Sequence, residues 1–156
     1  MDIEQALKKE KIRNLSTSQV VLVGPQETLS DVLSKMQKAE ASCAVIANES
    51  KKILGIFTER DALHRTLLTK ASPTAPIQDF MTKAPKVLKG SDSVALAIRF
   101  MTEGKYRHLP IVNDKEEFEG LFSVRDVVAY LSEIYPLDIC NQPPDPHQLA
   151  RTPEGA

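Results

Sequence analysis

The chain has 156 residues, 42% of them hydrophobic, enough to bury one respectable core and pointing to a single globular module. Lys and Arg number 20 against 21 Asp and Glu, which excludes the strong positive field that draws a protein onto nucleic acid or an anionic membrane. The longest apolar stretches, such as Val20-Val21-Leu22-Val23, fall far short of the ~20 residues needed to span a bilayer. The charged N-terminus Met1–Glu10 lacks the apolar core of a secretory signal, so a cytoplasmic protein is expected.

Residues 1–11 form an N-terminal helical segment, and beyond it the chain repeats itself. A shift of 65 positions superposes Ile12 on Ile77, Thr17 on Thr82, Met36 on Met101, Ile46 on Ile111 and Asn48 on Asn113. The same shift superposes Gly55 on Gly120, Phe57 on Phe122, Arg60 on Arg125 and Asp61 on Asp126. These nine ungapped identities exceed the roughly three expected by chance at a background of about one in twenty, so the chain is an internal duplication.

The first copy spans residues 12–70. Leu29, Val32, Leu33 and Met36 follow the i, i+3, i+4, i+7 spacing of an amphipathic helix, and Thr28-Leu29-Ser30-Asp31 has the form of a capping box that starts it at Thr28. An apolar run from Cys43 to Ala47, a polar turn from Asn48 to Lys52 and a second run ending at Phe57 read as a hairpin of buried strands. A further helix runs from Glu59 to about Leu68. Residues 71–76, including Ser72-Pro73-Thr74-Ala75-Pro76, form the linker.

The second copy, residues 77–134, repeats the plan. Val94, Ala97, Ile98 and Met101 mark its amphipathic helix, with Asp92 or Ser93 as the cap. Leu109 to Val112, a turn from Asn113 to Glu117 and a run ending at Phe122 give its hairpin, followed by a helix from Val124 to Ile134. The fold class is therefore α+β, with each copy reading strand, helix, strand, strand, helix. A single copy leaves one sheet face uncovered, which predicts that the two pack face to face. The tail, residues 135–156, holds Pro136, Pro143, Pro144, Pro146 and Pro153, and is expected to be extended or disordered, or to lie along another subunit.

Chemistry-bearing residues are few. Cys43 and Cys140 belong to no Cys-x-x-Cys pair and are expected as a small buried residue and a tail thiol. His64 and His147 have no partner at ligand spacing, so no metal is assigned. Neither a Walker A loop nor a Gly-x-Gly-x-x-Gly stretch occurs, and no nucleophile with its base is visible, so no catalysis is expected. What repeats is Thr58-x-x-Asp61 and Ser123-x-x-Asp126, each at a strand-to-helix junction. Both are proper capping boxes, which alone accounts for them; equally, a hydroxyl and free N–H groups at a helix start favour phosphate there, with the Asp one turn on able to accept both ribose hydroxyls. Arg60 and Arg125 inside both motifs, and the Thr17 and Thr82 pair, are not required by capping.

The segments Gly55-Ile56-Phe57-Thr58-Glu59-Arg60-Asp61 and Gly120-Leu121-Phe122-Ser123-Val124-Arg125-Asp126 resemble the Gly-hydrophobic-x-Ser/Thr-x-x-Asp signature of cystathionine-beta-synthase (CBS) domains. Ile77-Gln78-Asp79-Phe80-Met81-Thr82 and Tyr106-Arg107-His108-Leu109-Pro110-Ile111-Val112 are similar to two further segments of that family, and the resemblance covers residues 12 to about 134. It implies a Bateman module: a flat half-disc with two clefts, binding AMP, ADP, ATP or S-adenosylmethionine, forming a homodimer and regulating another protein without catalysis. It also implies that each cleft joins the motif of one copy to the leading strand and second-strand edge of the other. One cleft then holds Thr58, Arg60, Asp61, Thr82, Val87, Tyr106, Arg107 and His108. The other holds Ser123, Arg125, Asp126, Thr17, Leu22, Ala41, Ser42 and Cys43, lacks an Arg-His contribution, and is expected to bind more weakly. The competing expectation is a scaffold whose clefts stay empty and whose work is dimerisation or docking.

Overall fold

The computed structural model describes residues 2–135. The expectations for Cys140, His147 and the Pro-rich tail therefore lie outside the described residues. The chain begins with α1 (Ile3–Lys9). The first repeat then supplies β1 (Val21–Val23), α2 (Leu29–Lys38), β2 (Cys43–Ala47), β3 (Ile53–Thr58) and α3 (Glu59–Asp61), which runs on as a π-helical turn over Ala62–Leu67. The second supplies β4 (Thr82–Lys83), β5 (Leu88–Lys89), α4 (Val94–Gly104), β6 (His108–Val112), β7 (Phe118–Ser123) and α5 (Val124–Ile134). Among the described residues, no helix is long and apolar enough to cross a membrane.

The local signals behave as capping chemistry requires. Thr28 Oγ1 accepts from the Asp31 amide at 3.2 Å, starting α2 at Leu29, and Ser93, rather than Asp92, caps α4 by accepting from the Leu96 amide at 3.2 Å. Asp92 instead closes the turn before it, accepting from the Lys89 amide at 2.7 Å. In each hairpin turn the repeated asparagine organises the backbone: Asn48 Oδ1 accepts from the amides of Ser50 and Lys52, and Asn113 Oδ1 from those of Lys115 and Glu117. The left-handed residues recur in register too, Glu40 with Lys105 after the first helices and Lys51 with Glu116 in the turns. One element departs from the repeat. The helix from Glu59 widens into a π turn where α5 stays α-helical throughout.

The two copies are joined by exchange of their leading segments. In the first sheet, ordered β1-β2-β3-β4, β1 lies parallel to β2 and the hairpin β2–β3 is antiparallel; its last strand, β4, comes from the second repeat and pairs antiparallel with β3 through Ile56 and Thr82. The second sheet, β5-β6-β7, receives the first repeat's leading segment in return: the Ser18 amide donates to the Leu121 carbonyl on β7 at 3.1 Å. The cores follow the exchange. Ile12, fully buried, packs with Leu88, Val94, Leu109 and Phe122 of the second repeat, while Ile77, also fully buried, packs with Val32, Ile46 and Phe57 of the first. Between the sheets lies a third apolar layer of Cys43, Val45, Ile56 and Leu121, the face-to-face contact expected of a duplicated α+β unit. The linker is part of this fit, because the amides of Leu29 and Ser30 at the start of α2 donate to the carbonyls of Ala75 and Pro73.

The exchange explains one of the two repeated glycines. A Cβ built on Gly55 would lie 2.7 Å from the Thr82 carbonyl oxygen and 2.5 Å from Met81 Sδ, so only glycine lets β4 lie down on β3. At Gly120 the nearest atom to such a Cβ is Thr17 Oγ1 at 3.7 Å, an ordinary contact. Gly55→Ala is predicted to destabilise the protein by about 1–3 kcal/mol, whereas Gly120→Ala is neutral or stabilising by up to about 1 kcal/mol. Thermal denaturation of the two variants checks this, at roughly 2–4 °C per kcal/mol; equal shifts would contradict it.

Candidate functional site

The site begins where β3 turns into α3. Thr58 is in extended conformation, and its hydroxyl accepts from the Asp61 amide at 3.3 Å while Asp61 Oδ2 accepts from the Thr58 amide at 3.0 Å and the Thr58 hydroxyl at 3.1 Å. The capping box therefore exists, and it holds Oδ2 of a half-buried carboxylate in one orientation. The helix start is less open than the sequence suggests. The Glu59 amide donates to the Ser42 carbonyl at 3.1 Å and the Asp61 amide is taken by Thr58, so fewer backbone donors are left for an anion here than an open helix start would offer.

The side chains around this junction come from both repeats. A cavity of about 320 Å³ is lined by Thr58, Arg60 and Asp61 of the first repeat and by Thr82, Tyr106, Arg107 and His108 of the second. Seven of the eight residues expected in this cleft are thus brought together. Val87 is not among them: it lines a larger neighbouring cavity of about 700 Å³, which shares Tyr106 with the first. Lys105 and Glu59 also line the Asp61 cavity without having been singled out. Lys105 was within reach of the sequence, since it opens the cationic run Lys105-Tyr106-Arg107-His108.

Ser42, expected on the opposite side, instead meets this cleft across the repeat boundary, with its hydroxyl 3.0 Å from His108 Nε2. His108 is more than half-buried, and burial holds its pKa below the usual imidazole value, against the attraction of the Glu59 carboxylate and with the Arg107 guanidinium adding to the depression.

The second junction is built from the same motif and is filled. Asp126 Oδ2 accepts from the Ser123 amide at 2.7 Å, and the Ser18 and Ser123 hydroxyls lie 2.7 and 3.0 Å from it. The two hydroxyls are 2.6 Å apart, so one proton serves the carboxylate and the other the neighbouring hydroxyl. Ser123 is buried at 2% exposure. Of the other residues expected on this side, Ala41 is buried at 5% exposure and Cys43 is fully enclosed at 0%, so the Cys43 side chain offers no surface to a ligand. Burial, assisted by the Asp61 carboxylate, pushes the Cys43 thiol up to about 12, and it is unreactive as well as enclosed. Leu22 is exposed on β1, Arg125 is exposed on α5, and Thr17 lies against Gly120. Ser18 is the residue that sequence reasoning missed, because its counterpart under the 65-residue shift is Lys83 and no identity marked it.

Two sheets exchanging their leading strands, with paired Ser/Thr-x-x-Asp junctions between them, define a tandem-repeat module whose clefts lie at the repeat boundary. The CBS-domain profile matches residues 12–67 and 77–133, and the chain belongs to the CBS-domain family, carrying the domain twice. The CBS domain-containing protein CBSCBSPB1 of Arabidopsis thaliana is 34% identical over 119 residues, 76% of this chain and 20% of that protein, so the chain spans a fifth of that relative's length. Two solved structures, each described as in complex with AMP, share the fold. The CBS domain protein PAE2072 of Pyrobaculum aerophilum has a TM-score of 0.72 at 24% identity, covering 80% of this chain and 98% of that one. CBSX2 has a TM-score of 0.69 at 21% identity, covering 80% and 97%.

The depressed His108 gives a stability signature. Its folded pKa lies below its unfolded value of about 6.5, so the unfolded chain takes up the proton first; the stability this group contributes is complete above that value and is lost as pH falls through the folded pKa. Urea unfolding is predicted to show wild type losing more stability than His108→Gln between about pH 7.5 and about pH 5.5. Parallel losses in the two proteins would show that His108 is not the group responsible.

Proposed function

We propose that this chain is a non-catalytic regulatory module that binds an adenine nucleotide in the Asp61 cleft and passes its occupancy to a partner protein. The observation that carries this reading is the cavity of about 320 Å³ in which a capped carboxylate, Asp61, faces cationic and aromatic side chains of the other repeat. That volume is at the lower end of small-molecule sites, and the polar groups are few and convergent, as in such sites generally. Asp61 accepts the ribose hydroxyls. Arg60, Lys105 and Arg107 take the phosphate as charge-assisted donors, and the base lies on the ring of Tyr106, on the side where Val87 lines the neighbouring cavity. AMP heads the candidates because two structural neighbours are described with it; ADP, ATP and S-adenosylmethionine share the adenosyl group.

The Asp126 cleft is the weaker one in this reading. Where the Asp61 cleft has Lys105, Tyr106, Arg107 and His108, the equivalent positions of the first repeat hold Glu40, Ala41, Ser42 and Cys43, so the cationic groups that would meet a phosphate are missing there. Signalling needs no bond chemistry, since a ligand that binds one arrangement of the repeats better than another shifts the population between them. A second copy of the chain is the first partner we assign. Leu63 and Val128, at equivalent positions of the two helices that follow the motifs, stay 49% and 56% exposed.

A thermal-shift screen against AMP, ADP, ATP, S-adenosylmethionine and GTP tests the reading. An adenine compound at about 100 times its Kd is expected to add ~2.7 kcal/mol of stability. That gain is expected to disappear in Asp61→Ala and to be reduced less by Asp126→Ala. A flat response to every compound would favour the ligand-free scaffold instead.

A further inference from the structure

Arg65 sits one turn beyond Asp61, inside the π-helical turn, and its guanidinium makes contacts in two directions. Nε lies 3.3 Å from Asp61 Oδ1. Nη1 donates to the carbonyls of Phe80 at 3.2 Å and Met81 at 3.0 Å. One side chain therefore ties the carboxylate of the first repeat to the two peptide groups that lead into Thr82 and β4 of the second. Both ends of the tie, Asp61 and Thr82, line the same cavity. With Thr58 holding Oδ2 and Arg65 facing Oδ1, the rotation of the Asp61 carboxylate is fixed from both sides.

The arrangement belongs to one cleft only. The equivalent of Arg65 in the second repeat is Tyr130, which carries no charge, and there the leading segment reaches its carboxylate directly through Ser18. A planar guanidinium with five donors can serve a carboxylate and two carbonyls at once; an ammonium on a flexible stem does not reproduce that fork. The Arg65 side chain is 47% exposed, and ion pairs so exposed contribute little to folding stability. Its consequence is thus expected in recognition and in the order of the leading segment rather than in overall stability.

We propose that Arg65 is a positioning residue of the Asp61 cleft: it aims Asp61 at the ligand's ribose hydroxyls and couples that carboxylate to the leading segment of the second repeat. The ribose part of this rests on the nucleotide reading above; the cross-repeat tie does not. Arg65→Met and Arg65→Lys, alone and in an Asp61→Asn background, are compared with wild type by titration with AMP and 2′-deoxy-AMP. Amide hydrogen exchange of the ligand-free proteins is followed over Thr82–Ala84 and over β6 as an internal control.

Arg65→Met is expected to leave the melting temperature near that of wild type and to weaken AMP about tenfold, the worth of a hydrogen bond to a charged group, while 2′-deoxy-AMP weakens less. Arg65→Lys fails to restore the preference for the 2′-hydroxyl, and Arg65→Met adds no further loss once Asp61 is Asn. Exchange over Thr82–Ala84 rises several-fold with β6 unchanged. Wild-type affinity and selectivity in Arg65→Met, or losses that add fully to those of Asp61→Asn, would overturn the positioning role; unchanged exchange over Thr82–Ala84 would overturn the tie. If wild type itself binds no adenine compound, it is the nucleotide reading that fails, and with it the ribose role, while the exchange measurement still decides for or against the tie.

Discussion

The structure depends on the trade of leading segments between the repeats. Ile12 and Ile77 are each fully buried, and each is buried in the other repeat's core. Exposing one of them would remove a large apolar side chain from its packed site, a loss of several kcal/mol on the scale of core truncations, against a total domain stability of about 5–15 kcal/mol. Backbone pairing follows the same route, with β4 on β3 and Ser18 on Leu121. A half-molecule would therefore lack one core residue and one strand at once, which is why the duplication folds as a unit. The clefts are a by-product of this constraint: wherever a leading segment crosses to the opposite repeat, it passes beside that repeat's Ser/Thr-x-x-Asp junction.

Several of the repeated identities answer to the backbone and not to a ligand. Asn48 and Asn113 close their turns through their own side chains, and the left-handed pairs at 40 and 105 and at 51 and 116 recur because the same turns recur. Gly55 is held by the approach of Thr82, while Gly120 has room to spare. Thr58 with Asp61 and Ser123 with Asp126 cap helices in both copies. An identity shared by the repeats is thus weak evidence for function here; the differences between them say more.

The helices, hairpins and caps were legible because their causes are local: an apolar period, a polar turn, a hydroxyl three residues before an acidic side chain. The Thr58, Arg60, Asp61, Thr82, Tyr106, Arg107 and His108 grouping was accessible only through resemblance, since nothing in the spacing places position 61 beside position 107. What escaped reading depends on tertiary approach. Ser42 meeting His108, Ser18 meeting Asp126 and the Glu59 amide meeting the Ser42 carbonyl all join parts of the chain whose proximity follows from the exchange. The π turn at Ala62–Leu67 had no sequence mark, since its residues suit an ordinary helix.

The two junctions share their capping motif and differ at a few neighbouring positions. Ser18 stands where the second repeat has Lys83; it brings a hydroxyl onto Asp126 Oδ2, which also accepts from the Ser123 amide. Arg65 stands where the second repeat has Tyr130, leaving Asp61 tied to the far wall through a group that reaches past it to the backbone. Lys105 and Arg107 stand where the first repeat has Glu40 and Ser42, so the cationic side chains gather at one cleft. These differences put a serine hydroxyl on Asp126 and leave Asp61 facing Arg65, with further cationic side chains lining its cavity. The short run from Phe80 to Thr82 joins the two repeats at this point, since its carbonyls accept from Arg65, which faces Asp61, and it continues into β4 on the first repeat's sheet.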